Sequence, residues 1–199
     1  MSAAEPSLRL FVALAVPPEV KARLAAAQQE LRAQWPARAA SWTRPEQVHL
    51  TLRFLGDVAT SKVDPLTAHL AAATAGFGPL QLVAEGAGCF PDTRSPRVIW
   101  IGVGDAGQRL TELHQRIVAA TEDFTRQPVE KDFTGHVTLG RTRHLHRRHA
   151  EALANFVAGA VDRRFGEWTA DQIELMRSEL LPGGSRYSCL AALPLGSPG

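Results

Sequence analysis

The chain has 199 residues, 45% hydrophobic and 21% charged, which is enough for one domain or for two small lobes sharing an interface. With 22 Lys and Arg against 20 Asp and Glu the formal charge is +2. That excludes a uniformly basic coat but leaves room for a local phosphate-binding patch. No apolar run reaches the ~18 residues of a membrane span. Met1–Pro6 lacks the positive segment of a secretory signal, and the isolated Cys89 and Cys189 fit a reducing, cytoplasmic setting.

In chain order, Leu8–Val16 is a continuous apolar run that predicts a buried strand. Pro17 and Pro18 end it and open a helix over Pro18–Trp35, rich in Ala, Leu, Gln, Glu and Arg and stopped by Pro36. Ser41–Thr43 reads as a short extended piece, and Val48–Leu55 alternates as a strand closed by Gly56-Asp57. Ser61–Thr74 is a second helix, Leu80–Glu85 and Arg97–Val103 are strands, and Gly86–Pro96 is the loop between them. Ala106–Phe124 is a third helix, with Leu110, Leu113, Ile117 and Val118 at helical spacing. Phe133–Gly140 is strand-like, Arg148–Ala160 is a fourth helix, Trp168–Leu180 alternates, and Ser185–Leu193 is the last strand. Helices and strands mix without a strict βαβ order, which favours an α+β fold with antiparallel sheets over a doubly wound parallel one. Residues 1–199 are expected to form one unit with loose ends near 1–7 and 196–199.

The chain also echoes itself. His49-Leu50-Thr51-Leu52 and His136-Val137-Thr138-Leu139 each lie in a predicted strand, 87 residues apart, close to half the chain. Alternation along a strand puts His and Thr of each motif on one face and the apolar pair on the other. Two facing lobes would then bring two imidazoles and two hydroxyls together. Imidazoles titrating near ~6.5 can supply a general acid and a general base at neutral pH. In-line cleavage of a phosphodiester needs both, on opposite sides of phosphorus. The hydroxyls suit the non-bridging oxygens, a guanidinium such as Arg141 suits their charge, and no metal or cofactor is required.

These paired motifs resemble those of the two-histidine (2H) phosphoesterases, and in particular the bacterial and archaeal RNA 2′,3′-cyclic phosphodiesterases, also called 2′-5′ RNA ligases. The likeness extends over Arg9–Leu14, Trp42–Gly56, Phe90-Pro91 with Arg97–Trp100, Phe133–Arg141, and Ser178–Leu180 with Gly184–Leu193, which includes Tyr187. The resemblance implies a bilobal, pseudo-twofold α+β fold with an antiparallel sheet in each lobe, outer helices and a central cleft. It implies opening of an RNA 2′,3′-cyclic phosphate to a 2′-phosphate, with ligation to a 5′-hydroxyl as the reverse reaction. It assigns His49 as acid, His136 as base, Thr51 and Thr138 to the phosphate oxygens, and Arg141 as the arginine that follows the second motif. The implied partner is RNA with a cyclic phosphate end, tRNA fragments among the candidates, met by a monomer. Two departures stand out. Gly135 replaces the proline frequent before the second histidine, which predicts a looser approach to His136, and Gly140 replaces a small residue such as alanine.

Weaker signals compete with plainer readings. Arg141–His149 is the densest basic stretch: an RNA-backbone contact, a metal site through His144, His146 and His149, or a solvated loop and helix start. Arg94 and Arg97 are candidates for phosphate contact, against turn solvation. Trp42, Phe11, Phe90 and Tyr187 are candidates to stack on a base, against a place in the core. His69 and His114 carry no motif and read as structural. Gly102–Gly107 has the Gly-x-Gly-x-x-Gly spacing, with Glu122 or Asp123 some way on. Because Val129–Phe133 does not read as a second buried parallel strand, it is taken as a tight strand-to-helix connection. Competing functions are a cyclic phosphodiesterase of small nucleotides or 2′-5′ oligonucleotides, and a non-catalytic module that binds RNA ends.

Overall fold

A computed structural model describes residues 5–36, 39–129, 132–142, 145–182 and 184–196. The first predicted strand forms as β1 (Ser7–Ala15), buried from Leu10 to Leu14 as an all-apolar run requires. Helix α1 (Pro18–Arg32) starts on its proline and buries Val20, Leu24, Ala27, Gln28 and Leu31, one stripe at helical spacing. It ends before the expected Trp35. The chain tightens into turns closed by Gln34 and Trp35 amides ahead of Pro36, a residue that disfavours helix in what precedes it. There follow β2 (Ala40–Trp42), β3 (His49–Ala59), α2 (Val63–Thr74), β4 (Leu80–Phe90), β5 (Val98–Gly104), α3 (Arg109–Thr121) and β6 (His136–Thr142). The chain ends with α4 (Arg147–Gly159), β7 (Arg164–Ala170), β8 (Gln172–Leu181) and β9 (Gly184–Pro194).

Several expected boundaries move for local reasons, and β3 runs past its expected close at Gly56-Asp57 to Ala59. β4 runs on through Gly86 to Phe90, because Gly86, at φ 68°, sits at an irregularity in the register with β5 rather than at a strand end. The alternating stretch 168–180 is two strands, β7 and β8, which separate at Asp171 and lie in different halves of the sheet. The approach to His136 is coil up to Gly135, so β6 begins at the histidine itself.

All pairings among the described residues are antiparallel, in the order β7-β4-β5-β6-β3-β1-β8-β9, with β2 added beside β6. The curled sheet has two four-stranded halves, β7-β4-β5-β6 and β3-β1-β8-β9. They are joined through one register pair, Leu50 with Val137. Helices α1 and α4 pack on the first half, α2 and α3 on the second. Each half therefore has a buried apolar face under helices and leaves its other face for the cleft. The Gly-x-Gly-x-x-Gly segment is the expected strand-to-helix connection. Asp105 accepts from the amides of Gly107, Arg109 and Leu110, so a carboxylate of the chain itself takes the amides that would face a phosphate. No described helix is long and apolar enough to cross a membrane.

Candidate active site

The register pair that joins the halves also builds the site. Leu50 and Val137 are the middle residues of the two His-x-Thr motifs, and both are fully buried. Their neighbours on each strand must then point to the opposite face. His49, Thr51, His136 and Thr138 share that face and line one cleft of about 330 Å³. An antiparallel pair has a local twofold through its centre, so each histidine belongs opposite the other strand's threonine.

The two imidazoles are held identically. Nδ1 of His49 lies 2.7 Å from the carbonyl of Gln47, and Nδ1 of His136 lies 2.7 Å from that of Thr134. A carbonyl only accepts, so Nδ1 carries the hydrogen in both, and each Nε2 is left to exchange a proton in the cleft. Their surroundings differ. His49 is stacked on Phe11, ring centres 4.8 Å apart, and meets the edge of Tyr187 at 5.3 Å. This burial, seconded by the positive charges of Lys21, Arg141 and His136, holds its pKa down at about 4, against the hydrogen bond to Gln47 that works to raise it. His136 is flanked by Phe90 at 5.1 Å and Trp100 at 6.1 Å.

Beyond the motifs the strands lose the simple alternation. In β3 the register with β1 slips at Leu52, and in β6 the register with β5 slips at Leu139. Each is the last leucine of its motif, and each is the extra residue of a β-bulge. The phase flips there. Arg141, five residues after His136, is exposed and lines the cleft as expected. Phe54, five residues after His49, also lines it, with 48% of its surface exposed. Strict alternation would have put Phe54 in the core with Leu50 and Leu52, which is why the sequence reading missed it. The shared five-residue offset was the signal that could have found it. Arg53, which alternation assigns to the cleft, is buried and donates to the carbonyls of Gln127 and Pro128.

The other candidates divide. Tyr187 and Trp42 line the cleft. Phe11 is only 2% exposed, so its ring has no face for a base; it backs His49 instead. Arg97 is exposed but does not line the cleft: its backbone bridges Phe90 and Thr142 just before β5. Arg94 lies in the turn organised by the Asp92 carboxylate. In the basic stretch, Arg143 and His144 lie outside the described residues. Arg147 pairs with Glu151 on the surface, and Arg148 donates to Nε2 of the buried His149. The described residues of the stretch therefore serve several places rather than one surface. His69 and His114 pack on Phe124 and Phe133.

Four further residues position the site. The amide of buried Gln28 donates to the carbonyls of Thr43 and Leu139, both at 2.8 Å, tying α1 to the second motif and to the cleft wall. Arg44 and Gln47 both donate to the Ser185 carbonyl, which holds the start of β9 against the segment that leads into His49. Gly135 is tight rather than loose. Its carbonyl accepts from Val103 at 2.8 Å, and a Cβ there would stand 2.3 Å from the Val103 oxygen and 2.7 Å from Leu110. Gly135→Ala is expected to lower stability by about 1–3 kcal/mol and to reduce turnover by displacing His136. Urea unfolding and kcat of the purified variant check this, and wild-type values for both would show that the approach has slack.

Comparison with known proteins agrees with this geometry. The model of the "LigT like Phosphoesterase" family matches twice, over residues 14–100 and 101–187, one motif in each repeat. An Archaeoglobus fulgidus protein named RNA 2′,3′-cyclic phosphodiesterase is 34% identical over 185 residues, covering 92% of this chain and 98% of its own. A Thermus thermophilus protein of the same name is 31% identical over 198 residues, covering 94% and 90%. A Thermus thermophilus crystal structure superposes with a TM-score of 0.78 at 29% identity, over 96% of this chain and 99% of that one. The Escherichia coli LigT structure with 3′-AMP superposes at 0.73 and 22% identity, over 94% and 99%, and shares the fold. With a family match over both halves and the paired His-x-Thr strands meeting at one cleft, the chain belongs to the LigT-like family of 2H phosphoesterases.

Proposed function

We propose that this protein opens 2′,3′-cyclic phosphates at RNA ends, leaving a 2′-phosphate, by acid–base catalysis between His49 and His136 without a metal ion. The observation that carries the reading is the pair of imidazoles with Nδ1 tied back and Nε2 without a partner among the described residues, lining one cleft with the two motif threonines. The name shared by the relatives supplies the substrate class.

Nε2 of His136 takes the proton from a water as its oxygen attacks phosphorus. The bond from phosphorus to the 3′ oxygen breaks, and Nε2 of His49 gives that oxygen its proton. Thr51 and Thr138 donate to the non-bridging oxygens, and Arg141 balances the charge that grows on them. Without substrate His49 is neutral at neutral pH, because burial and the nearby charges of Lys21 and Arg141 hold its pKa at about 4. The phosphate of the substrate brings the opposite charge and lets His49 hold the proton it must give. With a 5′-hydroxyl in place of water as the nucleophile, the same groups in the same roles join two RNA ends: His136 takes the hydroxyl proton, the bond to the 3′ oxygen breaks, and a 2′-5′ linkage forms.

The test is a short RNA with a 2′,3′-cyclic phosphate, incubated with the protein in EDTA and mapped by position-specific phosphatases and mass spectrometry. A 2′-phosphate product at full rate is expected. A 3′-phosphate product would reverse the leaving oxygen, and activity lost in chelator and restored by zinc or magnesium would end the metal-free mechanism.

A further inference from the structure

A second depression, of about 520 Å³, continues from the catalytic cleft and shares Phe54, Arg141, Ser185 and Tyr187 with it. Its volume is in the ~300–1,000 Å³ range of small-ligand sites. Its far wall adds Arg9, and Gln127 from the segment tied down by Arg53. Arg9 is exposed and its side chain makes no ion pair or hydrogen bond among the described residues, and the same holds for the side chain of Arg141. Among the described residues Asp57, opposite Arg9 in the β1–β3 register, is the one carboxylate in the lining. Phe54 stands at the boundary of the two depressions. It leans on the buried Phe11, ring centres 5.9 Å apart at 45°, which leaves its outer side to solvent.

The pseudo-twofold makes this arrangement informative. The halves match at histidine and threonine, where a phosphate's oxygens present similar demands from both sides. They differ at the fifth residue after each histidine, where one half offers a guanidinium, Arg141, and the other an aromatic ring, Phe54. A chain nucleotide needs such an unlike pair: a cation for its phosphate and a flat apolar surface for its base.

We infer that the second depression is a subsite for the nucleotide that precedes the cyclic end in the same RNA strand, with its base stacked on Phe54 and its phosphate between Arg9 and Arg141. This rests on the proposed reading of the catalytic cleft and deepens it: the substrate class becomes an oligonucleotide end rather than a free cyclic mononucleotide. An exposed aromatic ring on a rigid strand gains contact area when a base covers it, at little cost in ordering. The arginines contribute a salt-dependent attraction to the linking phosphate.

The experiment compares kcat/KM for a mononucleotide 2′,3′-cyclic phosphate and for the dinucleotide and tetranucleotide with the same terminal base. The wild-type protein is expected to prefer the dinucleotide by roughly tenfold or more, a stacked base being worth about that much, with little further gain for the tetranucleotide. Phe54→Ala is expected to bring the dinucleotide-to-mononucleotide ratio close to one, and Phe54→Trp to restore it. Arg9→Ala is expected to lower the ratio and flatten its dependence on salt. Equal wild-type turnover of mononucleotide and dinucleotide would overturn the subsite and leave the catalytic reading standing. Equal loss on both substrates in Phe54→Ala, with the ratio kept, would make Phe54 a structural residue and also overturn it. Absence of wild-type turnover on all three would overturn both readings.

Discussion

Replacing His136 by alanine is expected to lower kcat on an RNA 2′,3′-cyclic phosphate by about two to four orders of magnitude, the usual contribution of a positioned acid or base. His49→Ala is expected to do the same. The double variant should be little worse than either single one, because acid and base act in one transition state and neither is useful alone. The fold should survive. Both side chains stand on the cleft face, and the apolar partners that join the halves, Leu50 and Val137, are untouched. Each variant also removes ring contacts, His49 with Phe11 and Tyr187 and His136 with Phe90 and Trp100, so both melting temperatures should drop by a similar small amount, about 1 kcal/mol in stability. Single-turnover assays and thermal melts decide. Either variant turning over near the wild-type rate would remove that histidine from the chemistry.

The titration of His49 is the second large effect. Its folded pKa, at about 4, is below the ordinary value of 6.5. In unfolded chains the imidazole therefore binds a proton through a pH range where the folded protein refuses it. The stability tied to neutral His49 is complete above pH ~6.5 and is lost as pH falls toward 4, about 3 kcal/mol in all. His49→Gln should lack this part of the acid sensitivity. The acid limb of kcat/KM, which reports the free protein, should lie near 4. Adding inorganic phosphate should raise the His49 pKa by a unit or more, since an anion in the cleft offsets Lys21 and Arg141. NMR of the imidazole carbons follows both states. A free-protein value near 6.5 would mean that water reaches the ring. A value unmoved by phosphate would take the acid role from His49 and make it the base.

The motifs were readable because they use the simplest periodicity a chain has. His-x-Thr on an apolar strand states which side chains share a face, and two copies 87 residues apart state that the site has two halves. The α+β class followed from strands and helices mixed without parallel order. Boundaries were less legible where local and tertiary preferences compete. Trp35 continues a helical composition but precedes a proline, and Gly86 reads as a strand end although its positive φ is what lets β4 bend and continue. Stretch 168–180 alternates throughout, yet its two parts pair with different partners.

By itself, then, the sequence determined the elements, the apolar faces and the chemistry of the four motif side chains, since all three depend on residue type and short spacing. The tertiary structure alone decided what those side chains meet. The Leu50–Val137 pair joins distant strands and makes two weak motifs one cleft. The bulges at Leu52 and Leu139 exist only relative to the neighbouring strand, and they turn Arg53 inward and Phe54 outward against the pattern of the residues. The stacking of Phe11 on His49, which sets the proton affinity of that imidazole, comes from a strand 38 residues earlier in the chain. Such contacts follow from strand register and burial, which are properties of the assembled sheet and have no period along a single strand.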